Sequence, residues 1–182
     1  MGIYNYALNL VRALPAELPE GWTLEIASNP VNAADFKPDH PRATQVIHGE
    51  GAPSKVARMA WIKWGAPRWM RAHGIEVYLS PKGFLPGLFR KPRGVKTIVA
   101  VHDMIPLWYQ EHYPKQFNRL EQMIVIRGLL QTVRKSDIVM THSQAARDDI
   151  ARRSARREGI HAFPSGFPVS EPGPAPMAGP YL

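Results

Sequence analysis

Residues Lys96-Thr-Ile-Val-Ala-Val101 form a β-branched run that ends in four consecutive apolar side chains, Ile98–Val101, with no polar position between them. A strand with one wet face alternates apolar and polar residues. A continuous apolar run instead marks a strand covered on both faces, as in a parallel sheet. Parallel neighbours require crossover segments long enough to hold helices. This one segment therefore narrows the fold to strands alternating with helices, and the rest of the chain can be tested for that order.

The order is present. Asp137-Ile-Val-Met-Thr141 reads as a second buried strand, and Trp22-Thr-Leu-Glu-Ile-Ala27, Ile75-Glu-Val-Tyr-Leu79 and Gly159-Ile-His-Ala-Phe163 as further strands. A short strand is expected near Gln45–His48, within a Pro-, Asn-, Asp- and Gly-rich stretch over 29–54. Ile3, Ala7, Leu10 and Leu14 share one helical face, and Pro15 with Pro19 is expected to end that helix. A helix is expected over 54–64, with Pro67 starting a second, shorter one. Phe117, Leu120 and Ile124 form an apolar stripe beside a second one of Met123, Ile126, Leu130 and Val133, which predicts a long, largely buried helix. Ser143 is placed to cap a helix over 144–157. Ser80–Gly94, with three prolines and three glycines, reads as a loop. The expected fold is α/β, a Rossmann-like, mostly parallel sheet with helices on both faces.

Composition bounds the function classes. With 182 residues, 45% of them hydrophobic, the chain can build one domain with a real core. It has no cysteine, which excludes disulfides, thiolate metal sites and a thiol nucleophile. No run approaches the length of a spanning helix, and no secretory leader is visible, so the expected location is cytoplasmic. The net charge of +8, with arginine supplying 15 of 23 basic residues, favours anionic partners. The seven histidines show no i, i+4 ligand pairing, so no metal site is expected.

In open parallel sheets ligands bind beyond the carboxyl ends of the strands. Here those ends are Ser80-Pro81, His102-Asp103, His142-Ser143 and Pro164-Ser165-Gly166. His102 at the end of a buried strand is the first candidate, read either as a ligand contact or as a group satisfying loop backbone. Asp103 is either a base or a loop-capping carboxylate. Ser143 is a helix cap that can also touch substrate. Gly2, ahead of a helix whose first N–H groups are free, can let a phosphate approach. Two clusters carry charge. Trp61, Trp64 and Trp69 interleave with Lys55, Arg58, Lys63, Arg68 and Arg71, which suits either a membrane interface or a core-facing helix with a solvated side. Arg147, Arg152, Arg153, Arg156 and Arg157 crowd one helix, which is either a solvated face or a nucleic-acid surface; no helix-turn-helix spacing or aromatic stacking motif accompanies it.

Four of these segments, in order, resemble glycosyltransferase family 4. They are Gly2–Leu14, Val101-His-Asp-Met-Ile-Pro106 with Tyr113-Pro114, Asp137-Ile-Val-Met-Thr-His-Ser143 with its arginine-rich helix, and Phe163-Pro-Ser-Gly166. The resemblance implies the acceptor-side half of a two-domain GT-B enzyme. It places residues 1–166 in that half and makes 167–182 a Pro-rich linker toward a donor-binding domain. It also implies a strand and Gly-Gly turn ahead of Gly2, a strand whose place is near the middle of the sheet. Without it, two neighbouring strands are left with unpaired backbone groups.

The activity implied is transfer of a hexose, mannose-like or glucose-like, from a nucleotide diphosphate sugar to a glycan or lipid-linked acceptor, with retention. His102 would be the central catalytic contact, and Gly2, Asp103, Ser143, Ser165 and Gly166 would line the substrate site. No cofactor is implied beyond the donor, and no nucleic acid. Peripheral membrane contact fits a lipid-linked acceptor, and the acceptor half is expected to be inactive alone. The reading from another class is a non-catalytic basic module that binds nucleic acid or anionic membrane.

Overall fold

The computed structural model describes residues 2–49, 54–86, 91–115, 118 and 122–163. Its strands and helices alternate as expected, and every strand pairing is parallel. The strands do not form one sheet. β1 (Leu24–Ser28) pairs only with β2 (Ala43–Ile47), and a separate sheet has the order β3 (Val77–Ser80), β4 (Lys96–Ala100), β5 (Ile138–Thr141) and β6 (Ile160–Ala162). β1 and β3 are thus edge strands of different sheets, and both line one cleft of about 780 Å³. The cleft is roofed by the apolar face of α1 (Ile3–Glu17), through Ala7, Leu10, Val11 and Leu14.

The four-stranded sheet owns the principal core. Val99, Val133, Val139 and Ile150 are fully buried, packed with Leu85, Met104, Leu107 and Leu129. Burial of each such side chain contributes roughly 1.5–3 kcal/mol. β4 buries Thr97, Val99 and Ala100 completely, whereas Ile98 is half-buried and Ile138 on β5 is exposed. One face of this sheet is therefore sealed and the other only partly covered, short of the coverage the apolar runs lead one to expect. Thr97 stays in the core because Asp137 satisfies it: Asp137 Oδ2 accepts from the Thr97 backbone N–H at 2.7 Å and from its hydroxyl at 2.9 Å. Burial pushes the Asp137 carboxyl up, but Lys91 and both Thr97 donors outweigh that and hold it at about 2.

Several boundaries depart from expectation for local reasons. Pro15 does not end α1. It sits buried in the last turn, and the helix runs on to Glu17. Arg42 stabilises that end by donating to the carbonyls of Ala16, Leu18 and Pro19. Pro67 stands at the start of a second short helix as expected, but no break precedes it. α2 (Lys55–Ala60) continues through a π-helical turn, Trp61–Gly65, into α3 (Ala66–Ala72). The wide turn, in which Ala66 N–H reaches Trp61 O, accommodates a proline that has no N–H and whose ring crowds the preceding carbonyls. Gly65 makes room for the Trp61 ring, since a Cβ there would meet Trp61 Cε3 at 2.3 Å.

The expected long helix is a π-helical segment, Gln122–Arg127, leading into α5 (Gly128–Lys135). Ile126 and Val133 are buried as the stripe requires, while Phe117 and Leu120 lie outside the described residues. An additional helix, α4 (Ile105–His112), follows β4 directly. α6 (Gln144–Ser154) ends three residues earlier than expected, at Ala155 in the left-handed conformation with φ 58°. Among the described residues no helix is long and apolar enough to cross a membrane.

Candidate active site

The carboxyl ends of β3, β4 and β5 converge beside the first turns of α1. His102 follows β4, whose pairing with β5 is extended by the bond from Val101 N–H to Met140 O. His142 follows β5, and the register that pairs Ala100 with Met140 sets the two histidines side by side. Their rings lie edge to edge, with centroids 4.5 Å apart and planes 29° from parallel. His102 Nδ1 and His142 Nε2 are hydrogen-bonded to each other. The other nitrogen of His102, Nε2, lies 2.9 Å from the carbonyl oxygen of Pro81. Tyr6 of α1 stands perpendicular to both rings, at 5.1 Å from His102 and 4.9 Å from His142. Burial, followed by the neighbouring His102, lowers the His142 pKa below its ordinary value.

The loop after β3 is fixed well enough to present that carbonyl. Phe84 N–H donates to Ser80 Oγ, Tyr78 OH donates to Phe84 O, and Leu85 N–H donates to the buried Thr132 hydroxyl. Gly83 turns the loop at φ +72°, and a Cβ there would stand 3.0 Å from Ala100 O. Glycine is therefore required on two counts, backbone angle and close approach to β4. Lys82, Gly83, His102, Asp103 and Pro106 line a small cavity of about 140 Å³, with Ile3 of α1 opposite. Its lining is mainly apolar, with Lys82, His102 and Asp103 at its polar edge; both nitrogens of His102 and Oδ1 of Asp103 are already engaged within the protein.

The remaining sequence candidates fall as follows. Asp103 is exposed, and its Oδ1 accepts from Ile105 N–H at 3.0 Å, which starts α4. Ser143 caps α6, its Oγ accepting from Ala146 N–H at 3.1 Å. Gly2 is the extended residue before α1, and a Cβ there would meet nothing within 4 Å, so its backbone is open to approach. Ser165 and Gly166 lie outside the described residues. Sequence reading passed over His142, Tyr6 and the Pro81 carbonyl. His142 stood in the strand-end position next to Ser143, and its place at the end of a buried strand was the signal that it shares the site.

The two charged clusters resolve differently. Trp61 and Trp69 pack around Met70 and Ala66, while Trp64 is exposed beneath Lys63, whose Nζ lies 4.3 Å from its ring centroid. Most of the arginine-rich helix is engaged within the protein. Arg153 pairs with Glu111 and Asp149, Arg152 with Asp149, and Arg147 donates to Gln144. Arg156 donates to the carbonyls of Val133, Ser136, Asp137 and Glu158, tying α5, β5 and the approach to β6 together.

No curated protein and no solved structure matches the chain. The sequence model of Glycosyltransferase Family 4 matches residues 2–171, a span that contains every strand and helix of both sheets and the whole histidine cluster. The chain belongs to glycosyltransferase family 4.

Proposed function

We propose that the strand-end cleft around His102 is the acceptor-side half of a hexosyltransferase site. The donor is a nucleotide diphosphate sugar and the acceptor a glycan or lipid-linked sugar. The observation that carries this reading is that His102, Lys82 and Asp103 line one small cavity together with Ile3 at the start of α1. His102 sits closest to the transferred sugar, and Lys82 faces its anionic or hydroxyl groups. Asp103 and Ser143 act mainly by shaping the backbone through their caps. Transfer proceeds with retention, and the chain needs no cofactor beyond the donor substrate.

Residues 1–166 form this half, and 167–182 lead toward a second, donor-binding domain that supplies the rest of the site. The cleft between β1 and β3 takes an apolar parallel strand joined to Gly2. Support comes from α1, whose Tyr4 bonds to Asp35 in the segment after β1, while Tyr6 touches the residues after β4 and β5. A strand running into α1 would therefore point the same way as both edges and pair with each. Peripheral membrane contact through Trp64 and its basic neighbours fits a lipid-linked acceptor.

The test is hydrolysis of UDP- and GDP-sugars by the longest natural polypeptide containing these residues, compared with its His102→Ala variant. Turnover falling by about 100-fold or more with the fold intact is the expected outcome. Unchanged turnover would make His102 structural. Salt-sensitive nucleic-acid binding without turnover would favour the basic-module reading, which the internal pairing of the α6 arginines does not support.

A further inference from the structure

The bonding of His102 fixes what its partner does. A carbonyl oxygen only accepts, so the contact with Pro81 O requires a proton on His102 Nε2. In the neutral ring Nδ1 is then bare, and it accepts from Nε2–H of His142. One added proton converts His102 to an imidazolium that donates from both nitrogens, to Pro81 O and to a now bare His142 Nε2, with His142 protonated at its other nitrogen. The hydrogen bond survives with its direction reversed, and neither ring turns. A second proton would leave two N–H groups pointing at each other and two positive charges on adjoining rings.

We propose that His142 is a positioning residue for His102, fixing its tautomer and ring orientation and restricting the pair to a single positive charge. The groups facing the pair are consistent with this. Tyr6 of α1 stands edge-on to both rings, Asp103 after β4 is engaged by Ile105 N–H, and Lys82 after β3 lines the small cavity beside His102. The lowered pKa of His142 runs in the same direction. For the transferase reading, on which its significance for turnover rests, the consequence is a cleft histidine that changes charge without reorienting.

The test is long-range ¹H–¹⁵N correlation of the imidazoles in the 182-residue chain, titrated through acid to mildly alkaline pH, for wild type, His142→Phe and His142→Gln. In the wild type at the alkaline end, His102 should carry its proton on Nε2 and show an Nδ1 that accepts a bond. Acidification should then proceed in two steps separated by about one pH unit or more. His142→Phe should lose the accepting signature at Nδ1 and titrate His102 in one step. His142→Gln, whose amide can still donate, should keep the signature and also titrate in one step. Both imidazoles protonating together in one step in the wild type, or His102 signals in His142→Gln indistinguishable from wild type throughout, would overturn the proposal, and both readings stand even where the Phe variant does not fold. Donor turnover indifferent to His102→Ala, with the two-step titration intact, would remove the transferase role of His102 and leave the pair standing.

Discussion

The two sheets are built from the same kind of strand but are not equally supported. The four-stranded sheet closes over side chains with no exposure at all, among them Val99, Val133, Val139 and Ile150. The two-stranded sheet rests on Ala7, Ile26, Phe36 and Ala43, each 7–9% exposed, and has no fully buried large side chain in its cluster. It is joined to the rest through α1, the Glu25–His73 contact at 2.5 Å, and the stacking of His48 on Trp61. At that joint His48 Nε2 and Trp69 Nε1 are buried without hydrogen-bond partners, a costly arrangement for groups removed from water. The comparison teaches that two strands and a helix lining an open cleft cannot reach the packing that four paired strands reach. The strand-end geometry around His102 is therefore anchored on the four-stranded side, and α1 completes it from the weaker side.

The largest effect expected from this difference follows from truncating the better core. Ile150→Ala should cost about 3 kcal/mol in urea denaturation, because the side chain it truncates is fully buried in the principal core. Ile26→Ala, in the looser cluster, should cost less, about 2 kcal/mol. Equal costs would mean that the two halves are equally well packed. A peptide extension carrying an apolar strand ahead of Gly2 should slow amide exchange along β1 and β3 while leaving the β4–β5 amides unchanged. No slowing at either edge would count against a strand seated in the cleft.

Asp137→Asn sharpens the account of the four-stranded side and should cost about 2 kcal/mol at neutral pH. The Asp137 carboxyl sits at about 2 in the folded chain against about 3.9 when unfolded. The unfolded state therefore binds more protons between these values. The stabilisation is complete above about pH 4 and is lost as pH falls toward 2. The Asn variant should show a flatter acid limb of stability against pH. Arg42→Ala, which releases three carbonyls at the end of α1, should cost roughly 1.5 kcal/mol and act on the two-stranded side. Removing the Glu25–His73 contact, half of which faces solvent, should cost least, about 0.5 kcal/mol.

The strands were legible in sequence because their signal is local. Runs such as Thr97–Val101 and Ile138–Thr141 carry the pattern within themselves, and observed and expected strands differ by about two residues at their ends. α4 was not legible, because Ile105, Trp108 and Tyr109 point outward and give it no buried stripe. Its signals were Pro106 in the first turn and the Asp103 cap. The π turn Trp61–Gly65 escaped because helical periodicity assumes a constant winding, which changes just before Pro67. His102 could be singled out from its strand-end position alone. Its bond to His142 depends on the register between strands 40 residues apart, and no local pattern encodes that. Arg156 likewise read as one charge in a run, whereas its guanidinium binds backbone carbonyls from three segments.

The most direct test of the central claim is to map where a nucleotide diphosphate sugar perturbs backbone amide resonances in the longest natural polypeptide containing these residues. The account predicts shifts concentrated at 82–84, 102–106 and 142–143 and at the start of α1. Shifts concentrated along 147–157 instead, and abolished by moderate salt, would contradict it and make the basic helix the binding surface.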